Sequence, residues 1–170
     1  MAIPVAAADK IALFRIEGEE GNAWKVAFQT DLSTDESRDY ESEATKDGVS
    51  KSAGAYEGTH SLSAFLAQKD EYIAKLKGLV RDKIPKRLEV WVLDRSDLDA
   101  VDGLDGDYSI DVVTSLTEDA GAEGNVEISI ETEIAEGPVA GKATVTPELT
   151  AMLKQISEEL EFVQPVTPAL

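Results

Sequence analysis

Cysteine is absent from the 170 residues, which removes disulfides, thiolate metal ligands and a cysteine nucleophile from consideration. Histidine is almost absent: His60 is the single imidazole. No nucleophile-elbow pattern accompanies it, so its expected role is packing or surface rather than catalysis. Aromatics make up 6% of the chain, so a core has to be built mostly from Val, Ile, Leu and Ala. No apolar run approaches the roughly 20 residues that span a bilayer. Residues 1–10, MAIPVAAADK, lack the basic start and apolar stretch of a signal peptide. The expectation is no membrane insertion and synthesis in the cytoplasm. No Gly-rich phosphate loop is present and no cofactor is expected. Positive charge is also scarce, with 16 Lys/Arg against 34 Asp/Glu and a net charge of −18. Such a surface repels phosphate, which argues against nucleic-acid binding as the main activity.

The hydrophobic content of 42% and the length predict one folded domain over residues 1–170. The segment from Lys46 to Arg95 departs from the acidic average, with ten Lys/Arg against seven Asp/Glu. A nearly neutral stretch inside an acidic chain suggests assembly. Its candidate interface residues are Lys46, Lys51, Lys75, Arg81 and Lys83.

Residues 10–17, KIALFRIE, and 24–29, WKVAFQ, read as strands joined in a hairpin. Trp24 and Trp91 are expected in the core. Residues 30–43 are polar and acidic, and two readings stand: a solvated loop, or a long exposed hairpin arm over about 30–44. Thr45-Lys46-Asp47-Gly48 marks a tight turn. Residues 49–55 and 59–66 read as weakly apolar strands broken at Gly54 and Gly58, of a kind that gains from cover by another chain. Asp70 is a suitable N-cap for a helix whose stripe is Tyr72, Ile73, Leu76, Leu79 and Val80, stopped by Pro85. Residues 88–93, LEVWVL, suit a central strand.

Residues 95–107 form an acidic, Gly-containing loop by composition. Asp97, Asp99, Asp102, Asp105 and Asp107 are its weak metal candidates, because hard cations favour clustered oxygen ligands. The spacing misses the EF-hand pattern, with Val101 and Tyr108 at ligand positions. Residues 108–116 read as a strand. Residues 126–134 alternate: Val126, Ile128, Ile130, Thr132 and Ile134 on one face, Glu127, Ser129, Glu131 and Glu133 on the other. A last short strand is expected over 142–146, then a C-terminal helix from Thr146-Pro147-Glu148, then an extended tail.

In order, KIALFRIE, AFQTD, ESEATKDG, a helix and EVWVLD resemble the major tail protein family of long-tailed, non-contractile bacteriophages, the tail tube proteins of siphophages. Thr45-Lys46-Asp47-Gly48 and Glu89-Val90-Trp91-Val92 carry the likeness most strongly. The resemblance implies an α+β, β-rich fold, a β-sandwich or barrel with one flanking helix. It further implies a structural virion protein that forms hexameric rings, stacked into a tail tube with an acidic lumen through which DNA is ejected without specific binding. Partners implied are the chain itself, the tape measure protein, the tail terminator and distal tail proteins. Glu127, Glu131 and Glu133, or Asp39, Glu41 and Glu43, are the candidate lumen residues. No catalytic residue is carried over. The competing class is a Ca²⁺-assisted β-sandwich recognising a glycan or host surface. A hydrolase using paired carboxylates would need a pocket that no stretch of the sequence suggests.

Overall fold

Two long strands organise the computed structural model, which describes residues 2–21, 23–26, 28–96 and 103–143. In chain order the elements are β1 (Lys10–Ile16), β2 (Gln29–Thr45), β3 (Gly48–Phe65), α1 (Glu71–Arg81), β4 (Leu88–Asp94), β5 (Leu104–Asp119) and β6 (Glu127–Ala143). The six strands form one antiparallel sheet in the order β1-β4-β5-β6-β3-β2. β5 and β6 pair from Leu104↔Ala143 to Asp119↔Glu127. Only the first part of this ribbon is flanked by β4, over Gly106 to Asp111. Only its other end is flanked by β3, over Glu127 to Glu133. The sheet is therefore two halves sharing one ribbon, with register shifts at Tyr108/Ile110, Ile110/Asp111 and Val113/Ser115 where one half gives way to the other.

The halves meet over a common core. Ala12, Phe14, Leu88 and Val90 come from one, Leu62, Ala64, Ile128 and Ile130 from the other, and Ile73, Leu76 and Leu79 of α1 close the remaining side. β1 and β4 are apolar on their second face too, where Ile11, Leu13, Leu93 and Leu104 form a smaller cluster.

The free border of β1 is closed from within the chain. The Gln29 side chain accepts from Ala12 N–H at 3.1 Å and donates to Ala12 C=O at 2.8 Å, as a neighbouring strand would. Phe14 exchanges both backbone bonds with Trp24, at 2.7 and 2.8 Å. Gln29→Ala is expected to cost about 1–3 kcal/mol by leaving these groups of Ala12 without a partner. Chemical denaturation would read this as a lower midpoint at unchanged slope.

Several sequence expectations change. Trp24 forms only a one-residue bridge to Phe14, not a second hairpin strand; the chain instead begins β2 at Gln29, which meets β1 through its side chain. Of the two readings of residues 30–43, the strand of a hairpin stands and the loop does not. β3 runs unbroken through Gly54 and Gly58. At Gly58 a Cβ would lie 2.6 Å from the Tyr56 hydroxyl, so glycine there serves close approach. Strand β5 begins at Leu104, inside the expected acidic loop, and β6 continues without a break to Ala143. Asp70 caps α1 as expected, accepting from Tyr72 N–H at 3.0 Å, but Val80 is 43% exposed and lies outside the buried stripe. Trp24 is buried and stacks on Tyr72 with ring centroids 4.7 Å apart. Trp91 packs against the smaller cluster but is only half-buried, between Arg15 and Tyr108. The expected C-terminal helix, most of the 142–146 strand and Asp97, Asp99 and Asp102 fall outside the described residues.

Candidate functional site

Side chains alternate across a strand, so cross-strand partners share a face and the register assigns each residue its side. On the side away from the core, β6 presents Glu127, Ser129, Glu131 and Glu133. β3 sets Phe65, Ser63, Ser61 and Thr59 beside them, with Glu57 one step further. β2 adds Asp31, Ser33, Asp35 and Ser37, and β5 adds Val112, Ser115, Thr117 and Asp119. This four-strand face carries seven carboxylates, no Lys or Arg, and a dense set of hydroxyls. Ser115 Oγ donates to Glu131 Oε2 at 3.2 Å and Thr114 Oγ1 to the Glu131 carbonyl at 3.1 Å. Glu127, Glu131 and Glu133 are thus brought together, and the structure extends the row sideways to Asp31, Asp35, Glu57 and Asp119.

Both borders of this half-sheet lack a strand partner among the described residues. β2 is terminal in the sheet order, and β4 stops at Leu88 opposite Asp111, leaving β5 unpaired on that side from Val112 onward. Because neighbours alternate in direction, the two borders run antiparallel to one another.

Beyond β6, β2 and β3 continue alone as a two-stranded arm, paired to Thr45↔Gly48 at its tip. The tip residues are Lys46 and Asp47, followed by Gly48 at φ +137°, a conformation glycine adopts without strain. Tyr40, Ala44, Val49 and Ala53 share one face of the arm, with Ser42 and Lys51; Glu41, Glu43, Ser50 and Ser52 share the other. Asp39 falls within the register shift between Arg38 and Tyr40 and does not join Glu41 and Glu43 in the regular pairing. Tyr40 and Val49 are 64% and 67% exposed. A hairpin of two strands is marginal in water, so an arm with an uncovered apolar face fits contact with another molecule.

The basic candidates separate into two groups. Lys46 and Lys51 are on the arm. Lys75, Arg81 and Lys83 are on α1 and the loop after it, where Ile84 is 89% exposed. Lys75 faces Glu19 at 3.6 Å and Lys77 faces Glu118 at 3.0 Å. Among the described residues no cluster of three or more acidic or histidine side chains is arranged to hold a metal. Asp105 instead lies 3.7 Å from the Lys142 ammonium.

Two polar clusters, one half-buried and one buried, are held by specific partners. Arg15 bonds Glu89 at 2.6 Å and Tyr108 donates to the same carboxylate at 2.7 Å. The guanidinium holds Glu89 below the usual carboxylate range, while burial and then Glu89 push the Tyr108 hydroxyl up to about 12. His60, unremarkable by sequence, is buried with Nδ1 2.7 Å from Asp111 Oδ2. Ser109 and Thr132 donate to the same carboxylate. Ser109 therefore bonds the acid and not the imidazole, so these residues do not form a nucleophile–base–acid relay.

A family model described as phage tail tube protein matches residues 4–140. A protein of Staphylococcus phage phiMR25 described as a tail protein is 31% identical over 83 residues, which are 49% of this chain and 42% of that one. The chain thus aligns with less than half the length of that relative. Among solved structures, the SPP1 tail tube superposes with a TM-score of 0.74 at 20% identity, covering 87% of this chain and 86% of the other. The tail of a gene transfer agent particle refined with C6 symmetry gives 0.58 at 11% identity, covering 80% and 98%. The six-fold symmetrised baseplate of the anti-feeding prophage gives 0.59 at 12%, covering 85% and 100%. At these identities the likeness is one of fold.

Proposed function

Because the chain belongs to the phage tail tube protein family, structural components of the virion tail rather than enzymes, we propose that its copies close into hexameric rings that stack into a DNA conduit. The observation that carries this reading is the four-stranded acidic face with two open borders of opposite direction. Laying β2 of one copy against β5 of the next, beyond Val112, continues the sheet antiparallel and completes the backbone hydrogen bonds of both. The contact is heterologous, so repetition yields a ring if the rotation closes. Six-fold symmetry is taken from the related gene transfer agent tail and anti-feeding prophage assemblies.

In this arrangement Asp31, Asp35, Glu57, Asp119, Glu127, Glu131 and Glu133 line the bore. Their charge keeps phosphate from adhering, so DNA passes without specific binding. The arm reaches an adjacent ring, covering Tyr40 and Val49. Lys75, Arg81 and Lys83 meet an acidic face of a neighbour outside the bore, whose charge complements theirs. Tape measure, tail terminator and distal tail proteins are the partners this role implies.

Negative-stain microscopy of concentrated protein tests the assembly, with rings or tubes expected and monodisperse monomers at every concentration counting against it. Glu127→Lys, Glu131→Lys and Glu133→Lys together should leave tube dimensions intact but slow DNA ejection from particles carrying them. An unchanged ejection rate would remove these residues from the bore.

A further inference from the structure

Asp111 takes no part in the surfaces proposed above, yet it is fully buried. A carboxylate without water needs hydrogen-bond donors. It receives them from His60 Nδ1 at 2.7 Å, Ser109 Oγ at 2.7 Å and Thr132 Oγ1 at 2.5 Å. The donors come from both sides of the junction. Ser109 lies on the half shared with β1 and β4, whereas His60 and Thr132 lie on the proposed bore half. Asp111 itself pairs with Leu88 on β4 and Ile134 on β6, between the register shifts of β5.

We propose that His60, Ser109, Asp111 and Thr132 form a polar pin that sets the angle between the two half-sheets, and so presents the β5 border at the inclination a neighbouring β2 requires. The inference rests on the ring reading above. Its physical basis is direction. Apolar burial holds two sheets together without fixing their orientation, but three hydrogen bonds converging on one carboxylate tolerate little rotation. The surroundings leave the cluster this role. Ala12, Phe14 and Val90, which line a small cavity with His60 and Thr132, are apolar, and the nearby Tyr56 hydroxyl is already committed to Glu36 at 2.7 Å.

The test replaces the whole cluster at once, with His60→Leu, Ser109→Ala, Asp111→Val and Thr132→Val in one chain. Joint replacement leaves no buried group unpaired, so the variant is expected to fold with a thermal midpoint near that of the unaltered chain. Its assembled fraction should fall about tenfold or more at matched concentration. Amide hydrogen exchange on the monomer supplies a readout that does not need assembly. Amides of β1 and β4 should open in step with those of β3 and β6 in the unaltered chain, and ahead of them in the variant. Normal assembly of the variant with exchange still in step would overturn the proposal. So would failure of the variant to fold, which would make the cluster a folding determinant instead. If the unaltered chain forms no rings, the ring reading fails, and the exchange comparison still decides the pin.

Discussion

Asp111→Ala alone should destabilise the monomer by about 3–5 kcal/mol, the cost of stranding the partners of a buried charge. For a chain of this length that lowers the thermal midpoint by roughly 10 °C or more. The contrast with joint replacement of the cluster is physical. Alanine strands the His60, Ser109 and Thr132 donors in a buried site, whereas apolar groups at all four positions leave nothing unpaired. Burial acts most strongly on Asp111 and opposes its ionisation. The bonds from His60, Thr132 and Ser109 together outweigh it and hold the carboxyl below its ordinary value. The resulting stability is present above the unfolded-state value of about 3.9 and is lost as pH falls through the still lower folded-state value. Thermal midpoints measured from neutral to strongly acidic pH should therefore show the unaltered chain and Asp111→Asn approaching one another only at the acid end. A constant gap across that range would mean that the ionised form of Asp111 is not the source of the difference.

Deleting the arm should abolish assembly while sparing the monomer. Replacing residues 39–55 by Asn-Gly, between Arg38 and Tyr56, removes strand that no third strand flanks and that contributes no buried apolar residue. The shortened hairpin keeps Leu62 and Ala64 in the core, so the thermal midpoint should move by no more than about 5 °C, within the range of an exposed change. Sedimentation at tube-forming concentration should then find no stacked species. Tubes of ordinary length from the shortened chain would assign the arm some task other than bridging rings. A large loss of monomer stability would show instead that the arm supports its own subunit.

The fold was legible where periodicity was strong. Residues 126–134 alternate without exception, and β6 places Ile128, Ile130 and Thr132 inside and Glu127, Glu131 and Glu133 outside. The stripe Ile73, Leu76 and Leu79, with Asp70 before it, located α1. Residues 30–44 could not be settled in the same way, because only Leu32 packs against the core and the arm beyond Arg38 has no buried face to write an apolar period into its sequence. A weaker signal was available in the alternation of Asp31, Ser33, Asp35 and Ser37 with Leu32 and Thr34, which would have extended the acidic face to β2. Trp91 does pack against the cluster of Ile11, Leu13, Leu93 and Leu104, but only half-buried, because an apolar run does not reveal which of its faces lies at the rim.

Residue content and order together determined that this chain would be a strand-rich, acidic protein without thiol chemistry, since cysteine content and net charge are matters of composition and alternation is a matter of order. Only the tertiary structure decided that His60 meets Asp111 across 51 positions, that Gln29 closes the border of β1, and that seven carboxylates from four strands share one face. Each of these depends on register, and one step of slippage would turn every side chain of a strand to the opposite side. Register is chosen by the packing of the whole sheet, which no single stretch of the sequence contains.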